Sequence, residues 1–405
     1  MSDRPFDLVL FGATGFTGKL VADYLAAHAP RTLRWALAGR SKAKLEAVRD
    51  AIAKEHPHVA SVPIEVADAS DAAALDALVK RTRVVCSTVG PYMQYGRELV
   101  RACAERGTHY CDLTGETPFV RDTIDRCHAR AQETGAKIVC CCGFDSIPSD
   151  LGTLLLHRHA GAPLAWVKMF VWSLKGTFSG GTAASMLGIV DAAKKDPGLR
   201  RVLLNPYALD PDPSVKGPDG RDQNGVRYDD DLGAWTGPFV MAAINTRVVR
   251  RSNALLDHAY GPSFRYSEVT SFGRGPRGWS MASAFSAGIG AFLTSAAVAP
   301  GLVKKVLPAP GEGPNKEARD NGSFVLKFIA KTEGNGSARR LEARVEGTSD
   351  PGYGETAKML GESALSLAFD DLGKRAGVLT PATAMGTKLL DRLRAAGMVF
   401  EISES

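Results

Sequence analysis

The chain is 405 residues long, 44% hydrophobic and 23% charged, with a formal net charge of +6. Those proportions are ordinary for a globular protein of two or three domains with a sizeable core. The basic excess is mild, suits an anionic cofactor or thioester substrate, and excludes a dedicated nucleic-acid surface; Arg247, Arg250 and Arg251, the densest run, read as a solvated or interface face.

The first element is an apolar run, Phe6 to Phe11, that ends in Gly12-Ala13-Thr14-Gly15-Phe16-Thr17-Gly18. Phe16, Leu20, Val21, Tyr24 and Leu25 then recur at helical spacing. Strand, glycine loop and helix in that order open a dinucleotide-binding fold. Gly12 lets the chain turn off the strand, Gly15 lets backbone N–H groups approach a pyrophosphate, and Gly18 lets the helix lie close to the sheet. Gly12, Ala13, Thr14, Gly15, Phe16 and Thr17 are therefore candidate cofactor contacts, with the anion at the helix N-terminus.

The second strand is expected over Leu33 to Ala38. Enzymes selecting NAD place an acidic residue after it to accept the ribose 2′-OH. Here Gly39-Arg40-Ser41-Lys42 follow, with no carboxylate until Glu46. Arg40 and Ser41 suit a 2′-phosphate, the arginine through its bidentate fork, so the expected cofactor is NADP(H). The bland alternative is a solvated loop arginine. Asp68, after a strand at Val62 to Val66, either passes the adenine or caps a helix starting near Ser70.

The fourth strand, Arg83 to Val89, is continuously apolar apart from its ends, as a parallel strand covered on both faces should be. Ligands bind at the carboxyl ends of such strands, so Val89, Gly90, Pro91 and Tyr92 are expected to border the nicotinamide. Thr108 to Glu116 reads as a strand ending in a polar turn. Lys137 to Cys142 is the sixth strand, leaving through Gly143-Phe144-Asp145-Ser146. Six strands with intervening helices make one doubly wound α/β domain over residues 1–150.

The pattern then changes to a second α/β domain with a mixed or antiparallel sheet, over 151–375. Leu164 to Leu174, Phe264 to Phe272, Ser323 to Thr332 and Ala338 to Gly347 read as strands, the last two joined by Glu333-Gly334-Asn335-Gly336. Gly176 to Ser185 is another glycine turn entering a helix, and Asn205 to Thr236 is mostly loop. A helix over Ala382 to Ala396 and a strand over Val399 to Ile402 are expected to return to the first domain with the rest of 376–405. Ser280 to Val303 carries no charge and is rich in Gly, Ala and Ser. A buried or partner-facing hairpin is the first reading, an acyl-chain groove or a membrane-surface contact the second, a bilayer span the last.

The 7 cysteines form no CxxC pair, so no zinc site is expected, and their placement in strands and helices suggests buried reduced thiols. No signal peptide is evident at the N-terminus, and the expected location is cytoplasmic, with peripheral membrane association through Ser280 to Val303 as the variant of it.

As a set, GATGFTG, the Ala-Gly-Arg-Ser after the second strand, TVGPY, HYCDLTGE, CCCGFDSIPSD and SGGTAAS resemble the saccharopine dehydrogenase-like oxidoreductases. More narrowly they resemble the trans-acting enoyl reductase branch associated with bacterial polyketide lipids. The resemblance runs over nearly the whole chain, including Gly313 to Phe324 and the closing PATAMGTKLLDRLRAAGM. It implies an NADP-binding Rossmann domain, a second domain covering the cofactor cleft, a homodimer, and reduction of an acyl or polyketide-type thioester, with a carrier protein or lipid as a further contact. Saccharopine-type C–N chemistry on an amino acid and a non-catalytic NADP-binding role at lipid surfaces are the alternatives. No tyrosine has a lysine four residues on, which excludes the short-chain dehydrogenase proton donor. Tyr92, Asp112 and Asp145, all at carboxyl ends of strands, are the candidate catalytic residues, with Glu116 and Ser146 beside them. Each has an ordinary structural reading as packing, turn former or cap.

Overall fold

In the computed structural model, which describes residues 4–176, 180–212, 214–298, 313–334 and 338–404, two seven-stranded sheets organise the chain. The first is built from β1 (Phe6–Phe11), β2 (Trp35–Gly39), β3 (Ile64–Val66), β4 (Thr82–Ser87), β5 (His109–Asp112), β6 (Lys137–Val139) and, from far along the chain, β13 (Gly377–Leu379). Its order is β13-β6-β5-β4-β1-β2-β3, and every pairing is parallel. The crossovers are α1 (Phe16–His28), α2 (Lys42–Ala53), α3 (Ala72–Lys80), α4 (Tyr92–Tyr95), α5 (Arg97–Arg106) and α6 (Thr117–Thr134). β1 is buried at all six positions. Leu8 and Leu10 face one hydrophobic cluster and Val9 and Phe11 the other, as a strand covered on both sides requires.

The second sheet has order β14-β12-β11-β7-β10-β9-β8. Its strands are β7 (Leu164–Lys175), β8 (Arg227–Asp229), β9 (Ala234–Pro238), β10 (Arg265–Ser271), β11 (Ser323–Thr332), β12 (Arg340–Gly347) and β14 (Val399–Glu404). Only β7 and β10 pair in parallel; the other neighbours are antiparallel. Between and around the strands lie α7 (Ile147–Ala160), α8 (Gly180–Lys195), α9 (Pro197–Leu204), α10 (Ala242–Leu255), α11 (Gly275–Val298), α12 (Lys316–Asp320), α13 (Thr356–Phe369), α14 (Pro381–Ala384) and α15 (Gly386–Ala395). Two helices join the sheets. α7 meets the second sheet where Gly152 lets the Phe328 ring approach; a Cβ there would lie 2.7 Å from the ring. α13 crosses to the first half, where Gly361 seats the Tyr24 ring and the Tyr24 hydroxyl donates to Glu362 at 2.7 Å.

Several expectations change here. The first sheet has seven strands, not six, because residues 377–379 pair with β6. The closing segment divides, β13 lying in the first sheet and β14 in the second. The helix expected over Ala382 to Ala396 is broken at Gly386, whose φ is +54°. β4 ends at Ser87, one residue before the Thr88 N–H makes the last rung to the Phe11 carbonyl at 2.9 Å. β6 ends at Val139 because Cys141 takes a φ of +64°, which no strand accommodates.

Arg247, Arg250 and Arg251 are not a solvated face. All three are buried. Arg247 pairs with Asp222, Arg250 with Asp219 at 2.6 Å, and Arg251 donates to the Leu209 and Val378 carbonyls. With Arg121, which donates to the Asp210 carbonyl at 2.9 Å, they fold the stretch from 205 to 222 onto α6 and α10. That stretch is ordered by charge rather than by secondary structure.

Among the described residues, 280 to 298, the uncharged segment does not turn back on itself. From 280 to 298 it is one helix, α11, continued from Gly275; its expected end, 299–303, lies outside the described residues, as do the turns at 177–179 and 335–337. Gly288 and Gly290 cost a helix interior only about 1 kcal/mol each, and the alanines around them offset it. One face packs on β9, where Ala282 is buried, and on α8, where Ala296 meets Leu187, while Trp279, Met281, Phe285, Leu293 and Val298 stay exposed. Among the described residues no helix is long and apolar enough to cross a membrane.

Candidate active site

The glycine loop leaves β1 at the switch between β1 and β4. Gly12 has a φ of +92°, and a Cβ there would lie 2.6 Å from Val89 Cγ2 and 2.8 Å from Thr88 Oγ1. Thr88 Oγ1 also donates to the Gly12 carbonyl at 3.1 Å, so the exit of β4 holds the loop's shape. A Cβ on Gly18 would lie 2.2 Å from the Gly12 oxygen, so α1 touches the loop directly. Gly15 is the N-cap of α1, and no side chain caps the first turn. A narrow backbone cradle with uncapped amides at a helix N-terminus fits the pyrophosphate of a dinucleotide.

Arg40 and Ser41 sit just past β2, the arginine exposed. Ser41 also starts α2, its Oγ accepting from the Lys44 N–H at 3.5 Å. Asp68 accepts from the N–H and Oγ of Ser70 at 2.9 and 2.6 Å, bonds that hold its carboxyl below the usual range; the helix cap is Asp71. A hollow of about 430 Å³ between α1 and α2 is lined by Thr14, Lys19 and Lys44. The two lysines were not singled out from the sequence, although their cationic ends accompany Arg40. These residues fit a phosphorylated adenosine half.

Across the switch, Val89, Gly90 and Pro91 form the turn from β4 into α4, and the Gly90–Pro91 bond is cis. Tyr92 is buried; its hydroxyl donates to the Ser87 carbonyl at 3.0 Å, and its ring lies against Phe119. Asp112 is fully buried. Its Oδ2 accepts from the Tyr110 hydroxyl at 2.9 Å, and its Oδ1 accepts from the N–H groups of Thr114 and Cys141, both at 3.1 Å. Burial raises its carboxyl to about 6 against those hydrogen bonds. Glu116 accepts from the Tyr92 and Met93 N–H groups at 2.9 and 2.8 Å and from Ser185 Oγ at 2.7 Å, so α8 is tied to the mouth of the first sheet.

Asp145 follows β6. Part of its surface stays open, its carboxyl lies beside Gly115 and Met241, and burial raises it to about 7. The next residue opens a chain of buried hydrogen bonds. Ser146 Oγ donates to Asn245 at 3.2 Å, Asn245 Nδ2 donates to Glu268 at 2.9 Å, and the Tyr266 hydroxyl donates to the other Glu268 oxygen at 2.9 Å. Burial raises Glu268 to about 7 as well. Sequence reading missed Asn245 and Glu268. The available signal was alternation in β10, which puts Glu268 on the same face as Tyr266.

Residues 8–139 match the family described as the saccharopine dehydrogenase NADP binding domain. Over full length the chain is 46% identical to a Mycobacterium tuberculosis protein provisionally named a trans-acting enoyl reductase, covering 98% of this chain and 97% of that one. It is 41% identical to the trans-acting enoyl reductase of Mycobacterium ulcerans, covering 98% of each. Among solved structures, saccharopine dehydrogenase (L-Glu forming) of Saccharomyces cerevisiae shares the fold with a TM-score of 0.56 at 15% identity, covering 98% of this chain and 99% of that one.

Proposed function

The chain belongs to the saccharopine dehydrogenase-like oxidoreductases, in the trans-acting enoyl reductase branch, and from that premise we propose that it reduces the carbon–carbon double bond of an acyl or polyketide-type thioester with NADPH. The observation that carries this reading is the full-length similarity to relatives named enoyl reductases, at 41–46% identity. The cofactor, when bound, supplies the hydride.

The chain's own residues divide into three tasks. Gly12 through Thr17 hold the pyrophosphate, and Arg40 with Ser41 takes the 2′-phosphate. Val89, Gly90 and Pro91 border the nicotinamide, their turn held by Tyr92 and Glu116. Asp112 and Tyr92 are positioning residues, since their polar atoms are already bonded within the protein. Asp145 is the proton source: near pH 7 about half of it carries a proton, and part of the residue's surface stays open.

Saccharopine-type chemistry needs cations for a dicarboxylate substrate. Arg121, Arg247, Arg250 and Arg251 are instead bonded to the stretch from 205 to 222 and to Val378, which favours the thioester. The exposed face of α11 is the docking side for the partner that brings the acyl chain, a carrier protein or a lipid surface, and the molecule works as a cytoplasmic homodimer. The test is NADPH oxidation by the purified protein with an enoyl thioester, beside an amino acid and keto acid pair. Turnover with the second pair alone would overturn the reading, and binding without turnover, with co-sedimentation on vesicles, would favour a non-catalytic role.

A further inference from the structure

We propose that Arg319 is a phosphate-binding residue for the dinucleotide, delivered onto the glycine loop by the strap from Gly313 to Gly322. The proposal rests on the reading of that loop as an NADP(H) site. Phe16 is the first residue of α1, directly after Gly15. Its ring meets Tyr353 edge-on with centroids 4.7 Å apart. The Arg319 guanidinium carbon lies 5.7 Å from the centre of the same ring. A Cβ on Gly313 would come within 2.6 Å of it, so the strap rests directly on Phe16.

The strap is itself held in place. The Arg319 carbonyl accepts from the Asp350 N–H at 2.8 Å, and Asn315 caps α12 by accepting from the Ala318 N–H at 2.8 Å. Gly322 lies so close to Asp350 that a Cβ would be 2.4 Å from its Cα. One Arg319 N–H donates to the Pro314 carbonyl at 2.8 Å, which orients the fork. Among the described residues no carboxylate pairs with Arg319, in contrast to Arg101, Arg106 and Arg392, each of which sits on an acid. A fixed guanidinium with no carboxylate partner among the described residues, one aromatic ring from an uncapped helix N-terminus, is complementary to a pyrophosphate seated there. Cofactor binding then draws the strap and the first half together.

The test is a fluorescence titration of the full-length protein with NADPH and with NADH, for the wild type, Arg319→Gln and Arg40→Ala. The pyrophosphate is common to both cofactors, so Arg319→Gln should weaken both by about tenfold, the value of one charge-assisted hydrogen bond. Arg40→Ala should weaken NADPH alone. Unchanged affinities in Arg319→Gln, or a loss confined to NADPH, would overturn the proposal while leaving the cofactor reading intact. Failure of the wild type to bind either cofactor would instead overturn that reading and the proposal with it. A measurement on the wild type guards against a misfolded variant: amide exchange over residues 313–322 should slow on saturation with NADPH, and an unchanged rate counts against the strap. A packing role for the cation on Phe16 predicts lost thermal stability with cofactor affinity intact, which also rejects the proposal.

Discussion

On the proposed reading, Asp145 supplies the proton. Its carboxyl lies beside Gly115 and Met241 with part of the residue open, and burial alone accounts for the rise to about 7. A proton donor with that value works below about pH 7 and loses its proton above it. In Asp145→Asn, kcat for the enoyl thioester should fall about a hundredfold, and the alkaline limb of the wild-type pH profile should disappear. An unaltered profile would remove Asp145 from proton transfer. Tyr92 and Asp112 lie at equally promising places in the sequence. What separates them from Asp145 is the set of bonds they make: the Tyr92 hydroxyl is held by the Ser87 carbonyl, while Asp112 Oδ1 is held by the turns after β5 and β6 and its Oδ2 by the Tyr110 hydroxyl.

At the scale of elements, the glycine loop depends on contacts closer than any side chain allows. A methyl at Gly18 would strike the Gly12 oxygen at 2.2 Å and the Ala13 Cα at 2.9 Å. Both are backbone, so neither can move aside without displacing α1 from β1. Gly18→Ala should therefore cost about 1–3 kcal/mol and weaken NADPH binding, measured by thermal melts and titration. Gly188 is the control. It lies exposed within α8 with nothing within 4 Å of an added Cβ, and Gly188→Ala should stabilise by about 0.5–1 kcal/mol with no change in cofactor affinity. Equal effects at the two sites would refute the packing account. The same reasoning covers α11, where glycines with open space around them sit inside an unbroken helix.

Across the whole molecule, buried carboxyls set the response to pH. Asp112 is raised to about 6, and Asp145, Asp150 and Glu268 to about 7, each chiefly by burial. Their ordinary values are 3.8 for aspartate and 4.5 for glutamate. Between those values and about 7 the folded chain binds more protons than the unfolded one. The stability these groups contribute is thus full below the ordinary values and lost as pH rises through the folded ones. Asp7 and Asp370, held below 3.8 by Arg34 and Arg392 against their own burial, act in the opposite sense and only at lower pH. Melting temperature should fall from about pH 5 to pH 8, and Glu268→Gln, which keeps the shape without the charge, should flatten that fall. A slope unchanged by Glu268→Gln would show that Glu268 does not titrate in this range.

By itself the sequence determined the first half and the cofactor. An apolar run, a spaced set of glycines and an Arg-Ser pair after the second strand act over a few residues, where backbone geometry and local charge decide the outcome. The length of β11 and β12 was equally legible, because alternation is local. Tertiary structure alone decided the rest. The seventh parallel strand comes from residue 377 onward, the buried arginines fold a stretch up to 89 residues away, and Glu268 meets Asn245 from a different element. Arg319 reaches Phe16 only because Asp350 anchors its strap. Each of these depends on a desolvated charge or a thin strand finding its partner through space, and the spacing of residues along a chain carries no record of that meeting.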